Sequence, residues 1–418
     1  MKLKLHWQIF IALVLGLTFG FMSRGMHFEG FVINKVAVFG VVFLRGLRMI
    51  IVPLIVSSII SGVTSIGSAK NLGRMGLKTF TYYISTSLFA IIVGLVMVNL
   101  IQPGVGAQVG LQAAPEGLAA NAQKLGDTLL GIIPTNPLAA MVNSQILPTI
   151  FFSLLFGFFI TQSPAPYKQQ LTDFFQGIFE VMMKLTHFII LFTPIGVFAL
   201  MSKTIAQTGF DVILPLVAYM ATVASALLIH AVVTLPILLY FVAGVNPLAH
   251  ARAMSAALLT AFSTSSSSAT LPLTIECVEE NAGASNKTSS FVLPLGATVN
   301  MDGTALYECV AAMFIAQVYG IELSFGQQMI VVFTALLASI GAAGIPMAGL
   351  VMITVILSAV GLPLEGVGLI LAVDRILDMM RTAVNVWSDS SGTVIIAKSE
   401  GETGLKVLRS AVSQTGSA

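Results

Sequence analysis

The sequence predicts an all-α polytopic membrane protein with eight transmembrane helices and two re-entrant helical hairpins. The first observation is the composition, since 56% of the 418 residues are hydrophobic and only 9% are charged. A soluble domain carries about 25% charged residues, so this chain lacks the polar side chains for a surface that faces water. The second observation is the length of its apolar stretches, and the third is the interruption of two of them.

Eight apolar stretches are long enough to cross a bilayer, which takes about 20 helical residues. They cover residues 7–23, 35–66, 77–102, 127–163, 172–203, 210–244, 290–319 and 363–397. Basic residues precede the first stretch, as they do in a signal peptide, but no small-residue cleavage site follows it. We therefore interpret residues 7–23 as the first transmembrane helix.

Two further apolar stretches, residues 250–283 and 322–358, are interrupted near their middles. The first contains a Ser/Thr run that ends near Pro272, and the second contains a Gly-rich run with Pro346. Both compositions oppose a continuous helix. Non-helical backbone survives in a bilayer only where protein buries it or where it lines a cavity. We therefore expect two re-entrant hairpins, and such a pair indicates a binding site between two repeats.

The distribution of basic residues predicts the orientation. Lysines and arginines flank alternate ends of the spans, while the loop 103–127 has one lysine and no arginine. Because cytoplasmic loops are enriched in these residues, we expect a multi-pass protein of the plasma (cytoplasmic) membrane with both termini in the cytoplasm. The net charge of +2 comes with no basic block typical of nucleic-acid binding. The two cysteines and five histidines lack the spacing of a metal site, and we interpret the histidines as packed or solvated.

The last span carries a stripe of polar and charged residues: Asp374, Asp378, Arg381, Asn385 and Asp389. On a regular helix this stripe is roughly 80° wide. Four charges facing lipid could cost on the order of 10 kcal/mol, so the stripe must face protein, water or a charged ligand. The fork of Arg381 suits a carboxylate, and Asp378 is placed to pair with Arg381 or with a ligand ammonium. An α-amino dicarboxylate satisfies both groups.

A second polar motif, Asn-Met-Asp-Gly-Thr, runs from Asn300 to Thr304 inside an apolar span. Its composition predicts local unwinding, which exposes carbonyl oxygens beside the hard oxygen ligands of Asn300 and Asp302. Such a site suits an alkali cation. The alternative is a polar kink satisfied by neighbouring helices. Because Asp389 and Asn385 supply further oxygen ligands in another span, we favour the cation site.

Two more features have both a functional and a structural interpretation. The serines from Ser265 to Ser268 could bind an anion through hydroxyls and free backbone N–H groups, or form a flexible turn. Glu308 lies one helical turn after Thr304 and is either a proton carrier or a hydrogen-bonded structural residue. With Glu308, the two motifs contain five carboxyl groups against one arginine on the stripe. The surplus negative charge indicates that cations or protons enter with a substrate, which is the outline of a symporter.

At these residues the chain resembles the dicarboxylate/amino acid:cation symporters, which include excitatory amino-acid transporters and archaeal aspartate transporters. The similarity runs nearly end to end. It implies a homotrimer that works by an elevator mechanism, with a scaffold and a mobile transport domain in each protomer. The implied boundaries are scaffold helices 1 and 2 at 1–76, transport-domain helix 3 with an outer loop at 77–126, scaffold helices 4 and 5 at 127–205, the rest of the transport domain at 206–400 and a cytoplasmic tail at 401–418.

By matching position, the resemblance implies a set of substrate contacts. Asp378 would bind the amino group, Arg381 the side-chain carboxylate and Asn385 the α-carboxylate. The full set is Ser267, Thr304, Gly344, Ile345, Asp378, Arg381, Thr382 and Asn385.

The resemblance also implies three sodium sites, in which Na+ is a cotransported ion and not a catalytic cofactor. The first site would use the side chains of Asp389 and Asn385 with the carbonyls of Gly296 and Asn300. The second site would use Asp302, Asn300, Thr86 and Ser87. The third site would use carbonyls near Thr298, Ser339 and Ile340. Glu308 matches animal members, in which a glutamate there is linked to proton movement.

Three departures from the family pattern stand out. Archaeal members carry an arginine at the position of Ser265, and animal members carry one at the position of Met379. This chain has neither arginine. The resemblance links potassium counter-transport to the arginine at the position of Met379, so it is not part of this prediction. Trp387 and Ser388 replace smaller residues just before Asp389.

We therefore predict a secondary active symporter, not an enzyme, that imports aspartate or glutamate with sodium ions; proton cotransport through Glu308 stays open. The alternatives are a same-fold carrier of C4-dicarboxylates or neutral amino acids, or a glutamate carrier coupled to protons alone. Arg381 opposes neutral substrates because an unpaired buried guanidinium is costly, and Asp378 opposes simple dicarboxylates, which bring no ammonium. A hydrolase based on Ser267 lacks a suitable base, and a channel would conduct without accumulating substrate.

Overall fold

The computed structural model describes residues 5–66, 73–107, 133–143, 145–208, 213–341 and 348–408. These residues form helices almost throughout, and one isolated antiparallel bridge joins Val245 to Leu408. The all-helical prediction is therefore confirmed for the described part of the chain. The predicted contacts Gly344 and Ile345 lie outside the described residues.

The helices are numbered in chain order. The first eight are α1 (Leu5–Gly25), α2 (Glu29–Phe31), α3 (Ala37–Ile66), α4 (Gly73–Ile101), α5 (Pro137–Val142), α6 (Ile146–Gln162), α7 (Ala165–Ile190) and α8 (Thr193–Thr208). The next five are α9 (Ile213–Ile229), α10 (Leu235–Val242), α11 (Pro247–Ala253), α12 (Ser255–Thr264) and α13 (Ser267–Glu276). The last five are α14 (Asn286–Val299), α15 (Asp302–Val318), α16 (Phe325–Gly341), α17 (Ala348–Ala359) and α18 (Val367–Ser399). Short π-helical segments lie at Val32–Val36, His230–Thr234 and Cys277–Ala282, and a 3₁₀ turn at Leu364–Gly366.

Two of the helical stretches, Arg74–Ile101 and Leu214–Val242, are by themselves long and apolar enough to cross a bilayer. Large apolar side chains are also exposed on other helices, such as Phe159 at 62% and Phe188 at 57%. Exposed apolar surface of this extent indicates contact with lipid or with another chain. The number of spans and the side of the membrane on which each terminus lies stay predictions.

Two predicted spans are each divided between two helices. The span 172–203 includes the end of α7 and the start of α8, because Pro194 lacks the N–H group that an unbroken helix would use there. The span 127–163 is divided between α5 and α6, and its first six residues lie outside the described part. Asn136 caps α5 by accepting a hydrogen bond from the Ala139 N–H, and Pro137 is suited to a first helical position. Together they start a separate short helix.

The described helices pack in two groups. In the first, α3 packs against α6, α7 and α8, and α1 packs against α8. In the second, α15 and α18 lie at the centre, with α4, α9, α16 and α17 around α15 and with α12 and α14 against α18. Every residue of α15 except Gln317 is buried. The division into scaffold and transport domain at the predicted boundaries stays a prediction.

The interrupted stretches form pairs of helices that contact each other. Helices α12 and α13 pack together across a two-residue break in which Ser265 has a left-handed φ of 53°. Ser266 caps α13 by accepting a hydrogen bond from the Ala269 N–H. Helices α16 and α17 also pack together, and the residues between them lie outside the described part. That these pairs are re-entrant in a membrane stays a prediction.

The predicted unwinding of the Asn300 motif is confirmed in a shorter form. Helix α14 ends at Val299 and α15 begins at Asp302, so only Asn300 and Met301 leave the helical conformation. Gly303 is not part of the break. It permits close contact instead, because a Cβ atom at this position would lie 2.6 Å from the carbonyl oxygen of Arg381. The start of α15 therefore lies directly against the middle of α18.

An ion cluster joins the start of α4 to the end of α18. Glu400 accepts hydrogen bonds from Arg74 at 2.7 Å and from Lys78 at 2.5 Å. These hydrogen bonds hold the pKa of Glu400 at about 2, well below the ordinary value for a glutamate. Glu400 is therefore ionised at neutral pH. The cluster joins the end of α18 to α4, the helix from which Ser87 donates a hydrogen bond to Asp302 on α15.

Candidate functional site

The five residues of the α18 stripe are all buried, each with at most 6% of its surface exposed: Asp374, Asp378, Arg381, Asn385 and Asp389. Helix α18 is continuous from Val367 to Ser399, so the helical period brings the stripe to one face. That face meets α15 and α14. The structure therefore encloses in protein the charges that would be too costly against lipid.

Arg381 is at the centre of a charged cluster. Its Nη2 atom lies 2.8 Å from Asp378 Oδ1 and 3.1 Å from Asp374 Oδ1. The guanidinium lies 3.7 Å from the centroid of the Tyr307 ring, and the Tyr307 hydroxyl donates to Asp374 at 2.6 Å. Among the described residues, the Nε and Nη1 atoms of Arg381 have no hydrogen-bond partner. The guanidinium is thus held in place with donors left for a further acceptor.

Asp378 also lies 3.6 Å from Arg375, measured from Oδ2 to Nη1. The cluster therefore combines two aspartates, Asp374 and Asp378, with two arginines, Arg375 and Arg381. Its formal charge is balanced before any ligand binds. The Thr382 hydroxyl, by contrast, donates to the Asp378 carbonyl oxygen of its own helix at 2.8 Å.

Asn385 connects α18 to the first turn of α15. Its Oδ1 atom accepts a hydrogen bond from the Gly303 N–H at 2.8 Å, and its Nδ2 atom donates to the Thr304 hydroxyl at 3.2 Å. A Cβ atom at Gly349, near the start of α17, would lie 2.9 Å from Arg381 Nη1 and 3.3 Å from Thr304 Cγ2. The structure therefore brings Thr304, Asn385 and Arg381 together with the second interrupted segment. Ser267 is buried at the first position of α13.

A second polar cluster surrounds Asp302. The Asp302 Oδ1 atom accepts a hydrogen bond from Ser87 at 2.7 Å, and Oδ2 accepts one from Ser388 at 2.6 Å. His230 Nε2 lies 3.1 Å from the same Oδ2 atom. Asn300 Nδ2 donates to Ser388 at 3.0 Å and to Asp389 Oδ1 at 2.8 Å. The two aspartates are thereby connected through one asparagine and one serine.

The other predicted cation ligands take different positions. Gly296 lies beside Asp389, since a Cβ atom on it would be 2.5 Å from Asp389 Oδ1. The Thr86 hydroxyl donates to the carbonyl oxygens of Tyr82 and Tyr83 in its own helix. The hydroxyls of Thr298 and Ser339 likewise donate to carbonyls of their own helices, and α14 packs against α16, which also contains Ile340. Oxygen ligands are therefore concentrated around Asp302 and Asp389.

Glu308 lies on α15 one turn after Thr304 and is fully buried. Neither of its carboxyl oxygens accepts a hydrogen bond from the described residues. The structural alternative considered from the sequence, a glutamate held by hydrogen bonds, has no support among these residues.

Sequence reasoning gave no site role to four members of these clusters: His230, Tyr307, Arg375 and Ser388. His230, interpreted from the sequence as packed or solvated, contacts Asp302 from a π-helical segment. An ionisable residue inside a predicted span was the signal that could have identified it. Tyr307 gave no comparable signal, and Ser388 stood out only as a departure from the family pattern. Trp387, which sequence reasoning left without a role, donates its indole N–H to the Ala231 carbonyl oxygen at 3.0 Å and thereby ties α18 to the segment that holds His230.

Comparison with known proteins gives a consistent result across the chain. A family model described as the sodium:dicarboxylate symporter family matches residues 5–399. The proton/glutamate-aspartate symporter of Escherichia coli (strain K12) is 38% identical over 413 residues, which cover 96% of this chain and 93% of that protein. Excitatory amino acid transporter 3 of Mus musculus is 39% identical over 452 residues, covering 95% and 86%. The proton/sodium-glutamate symport protein of Geobacillus stearothermophilus is 36% identical over 412 residues, covering 96% of both chains.

Proposed function

The chain belongs to the sodium:dicarboxylate symporter family, and we propose that it imports aspartate and glutamate together with sodium ions. The observation that carries this proposal is the buried Arg381, paired with Asp378 and Asp374 and left with two free N–H-bearing atoms among the described residues. The names of the three relatives describe transporters of glutamate and aspartate, of excitatory amino acids, or of glutamate. These names support the same substrate class.

In the proposed mode of substrate binding, two oppositely charged side chains that lie a few ångströms apart each bind one charged group of the substrate. Arg381 receives the side-chain carboxylate in its planar fork, and Asp378 receives the ammonium group. Asn385 binds the α-carboxylate and Thr304 is a further contact to the substrate side chain. Ser267, Gly344, Ile345 and Thr382 are the other contacts expected from the family resemblance. A neutral amino acid would leave the guanidinium without a new acceptor, and a simple dicarboxylate would bring no cation to Asp378. The charged pair in this cluster therefore favours an acidic amino acid over both alternatives.

We propose sodium as the principal coupled ion. Among the described residues, no lysine or arginine forms an ion pair with Asp302 or Asp389. His230 lies 3.1 Å from Asp302, but neither buried aspartate has a lysine or arginine partner among the described residues. Such carboxylates suit hard cations, which prefer oxygen ligands. The sites are those predicted from the sequence: Asp389, Asn385, Gly296 and Asn300; Asp302, Asn300, Thr86 and Ser87; and Thr298, Ser339 and Ile340. Each net positive charge that enters contributes about 2.3 kcal/mol per 100 mV of membrane potential.

The assembly and movement follow the family expectation as proposals. The chain would form a homotrimer in the cytoplasmic membrane and move its substrate site by an elevator mechanism. The two packing groups of helices support a fixed and a mobile part, since α15 and α18 hold both polar clusters and lie in the same group.

A second candidate is a glutamate carrier coupled to protons alone. The observation that favours it is Glu308, a buried carboxyl group without a hydrogen-bond partner among the described residues. An ionised carboxylate in such a place is costly, so Glu308 suits the binding and release of a proton during transport. The name of the Escherichia coli relative includes proton coupling.

We expect Glu308→Gln to remove the pH dependence of aspartate uptake while sodium dependence is kept. Glutamine has nearly the same shape but cannot carry a proton. The measurement is the initial rate of uptake between about pH 5.5 and pH 8 at saturating sodium, for the wild type and the variant. An unchanged pH profile in the variant would exclude Glu308 as the proton carrier.

We expect Gly296→Ala to raise the sodium concentration for half-maximal uptake by about tenfold. The added Cβ atom would lie 2.5 Å from Asp389 Oδ1 and 2.7 Å from the Tyr83 hydroxyl, which itself donates to the Val292 carbonyl. Asp389 therefore has to move. Gly177→Ala is the matched control, because no atom lies within 4 Å of a Cβ there; a similar sodium requirement in both variants would argue against Gly296 as part of the ion site.

The experiment that tests the proposed function is uptake of radiolabelled aspartate and glutamate into proteoliposomes. One set receives an inward sodium gradient and a second set receives only an inward proton gradient. Accumulation that requires sodium supports the proposal. Accumulation on protons alone favours the second candidate, and no uptake of either amino acid contradicts the proposed substrate class.

A further inference from the structure

Ser388 lies between Asp302 and Asn300 in the ion cluster, and Asn300 in turn contacts Asp389. It is fully buried on α18, directly before Asp389. Its hydroxyl donates to Asp302 Oδ2 at 2.6 Å and accepts from Asn300 Nδ2 at 3.0 Å. A helical serine more often returns its proton to a carbonyl of its own helix, as Ser390 does with Trp387.

These two contacts determine how the Asn300 amide is oriented. Both of its N–H groups have acceptors, Asp389 Oδ1 at 2.8 Å and Ser388 Oγ at 3.0 Å. The opposite orientation would place the amide oxygen against a carboxylate oxygen, which is unfavourable, and would leave Ser388 without its donor. The amide oxygen of Asn300, Oδ1, is therefore the group left to bind a ligand. It is buried and has no hydrogen-bond partner among the described residues.

Ser388 also limits how Asp302 can turn. Its hydroxyl and His230 both contact Oδ2, while Ser87 contacts Oδ1. The carboxylate is thus held by donors from three separate segments: α4, the π-helical segment and α18. Hard cations bind best where several oxygen atoms are already fixed at the required positions.

We propose that Ser388 is a positioning residue for the cation site at Asp302. It orients the Asn300 amide so that Oδ1 is presented to the cation, and it holds the Asp302 carboxylate in the orientation that binds the ion. The proposal rests on the proposed sodium coupling and adds a residue outside the predicted ligand sets. It also gives a role to one of the two positions at which this chain departs from the family pattern just before Asp389.

The test compares Ser388→Ala with Ser390→Ala, two changes that each remove one buried hydroxyl from the same helix. We expect Ser388→Ala to raise the sodium concentration for half-maximal aspartate uptake about tenfold, equivalent to about 1.4 kcal/mol. The KM for aspartate at saturating sodium should stay within about twofold of the wild type. Ser390→Ala should change neither quantity by more than about twofold.

A second readout needs no transport. Sodium should stabilise the purified wild-type protein against thermal unfolding in the absence of aspartate, and Ser388→Ala should need about tenfold more sodium for the same increase in Tm. Ser388→Cys keeps a side chain of similar shape but is only a weak hydrogen-bond donor, so it should shift the sodium requirement in the same direction. It replaces the alanine variant if that protein does not fold.

The outcomes separate this inference from the proposed function. A wild type with no sodium dependence in either assay would overturn the sodium coupling and the inference with it. A sodium-dependent wild type with an unchanged Ser388→Ala variant would overturn the role of Ser388 alone. An equal rise in the sodium requirement and in the aspartate KM would also overturn it, since that result indicates general distortion of the site.

Discussion

Arg381→Ala should reduce the accumulation of aspartate and glutamate by at least about 100-fold. Among the described residues, Arg381 is the only cation within 3.1 Å of both Asp374 and Asp378. Its removal leaves both aspartates buried, with Arg375, 3.6 Å from Asp378, as the remaining cation. Removing one member of a buried ion pair costs about 3–5 kcal/mol, and the carboxylate of the substrate loses its binding group as well. The measurement is radiolabelled uptake into proteoliposomes under a sodium gradient.

The control for this variant is Arg375→Ala. Arg375 is partly exposed at 22% and lies 3.6 Å from Asp378, so its loss should reduce uptake by less than about tenfold. Sodium-induced thermal stabilisation should persist in Arg381→Ala, because Asp302 and Asp389 belong to the other cluster. If the Arg381 variant accumulates aspartate normally, the assignment of the substrate site is wrong.

Asp302→Asn should raise the sodium concentration for half-maximal uptake by at least about 100-fold. The asparagine keeps the shape of the side chain but removes the charge that attracts the cation. It also places an amide N–H group against a donor, because Ser87, Ser388 and His230 surround the two oxygen atoms of Asp302. The sodium dependence of initial uptake rates, with choline as the replacement cation, measures this change.

Asp173→Asn provides the matched control for the aspartate variant. Asp173 lies exposed on α7, where it accepts a hydrogen bond from Gln169 at 2.9 Å. Its substitution should leave the sodium requirement within about twofold of the wild type, since exposed contacts contribute little. Wild-type sodium dependence in Asp302→Asn would show that the ion is bound elsewhere.

The polar stripe of α18 could be found from the sequence because a single regular helix carries it. Residues three and four apart share a face of any helix, so the spacing from Asp374 to Asp389 was sufficient to predict a common direction. The break at Asn300 could be found for a similar local reason, since three hydrogen-bonding side chains and a glycine within five residues oppose an apolar helix. Both features depend on short segments of chain.

The partners across helices could not be found in this way. Ser388 and His230 meet at Asp302 from positions 86 and 72 residues away, and helical periodicity does not specify which helices pack together. The same limit applies to Tyr307, whose ring lies against Arg381. Composition also concealed the break between α7 and α8, because the residues around Pro194 are apolar on both sides. The length of the apolar stretches therefore predicted which segments could span a membrane, but it did not predict where each helix ends.

The most direct test of the account is the simultaneous flux of radioactive sodium and tritiated aspartate in the same proteoliposomes. If the Asp302 and Asp389 cluster binds the coupled ion, aspartate should accelerate sodium influx in the wild type, and Asp302→Asn should abolish that acceleration. Arg381→Ala should abolish the aspartate flux and the aspartate-dependent sodium flux together. Aspartate accumulation with no accompanying sodium influx would contradict the account.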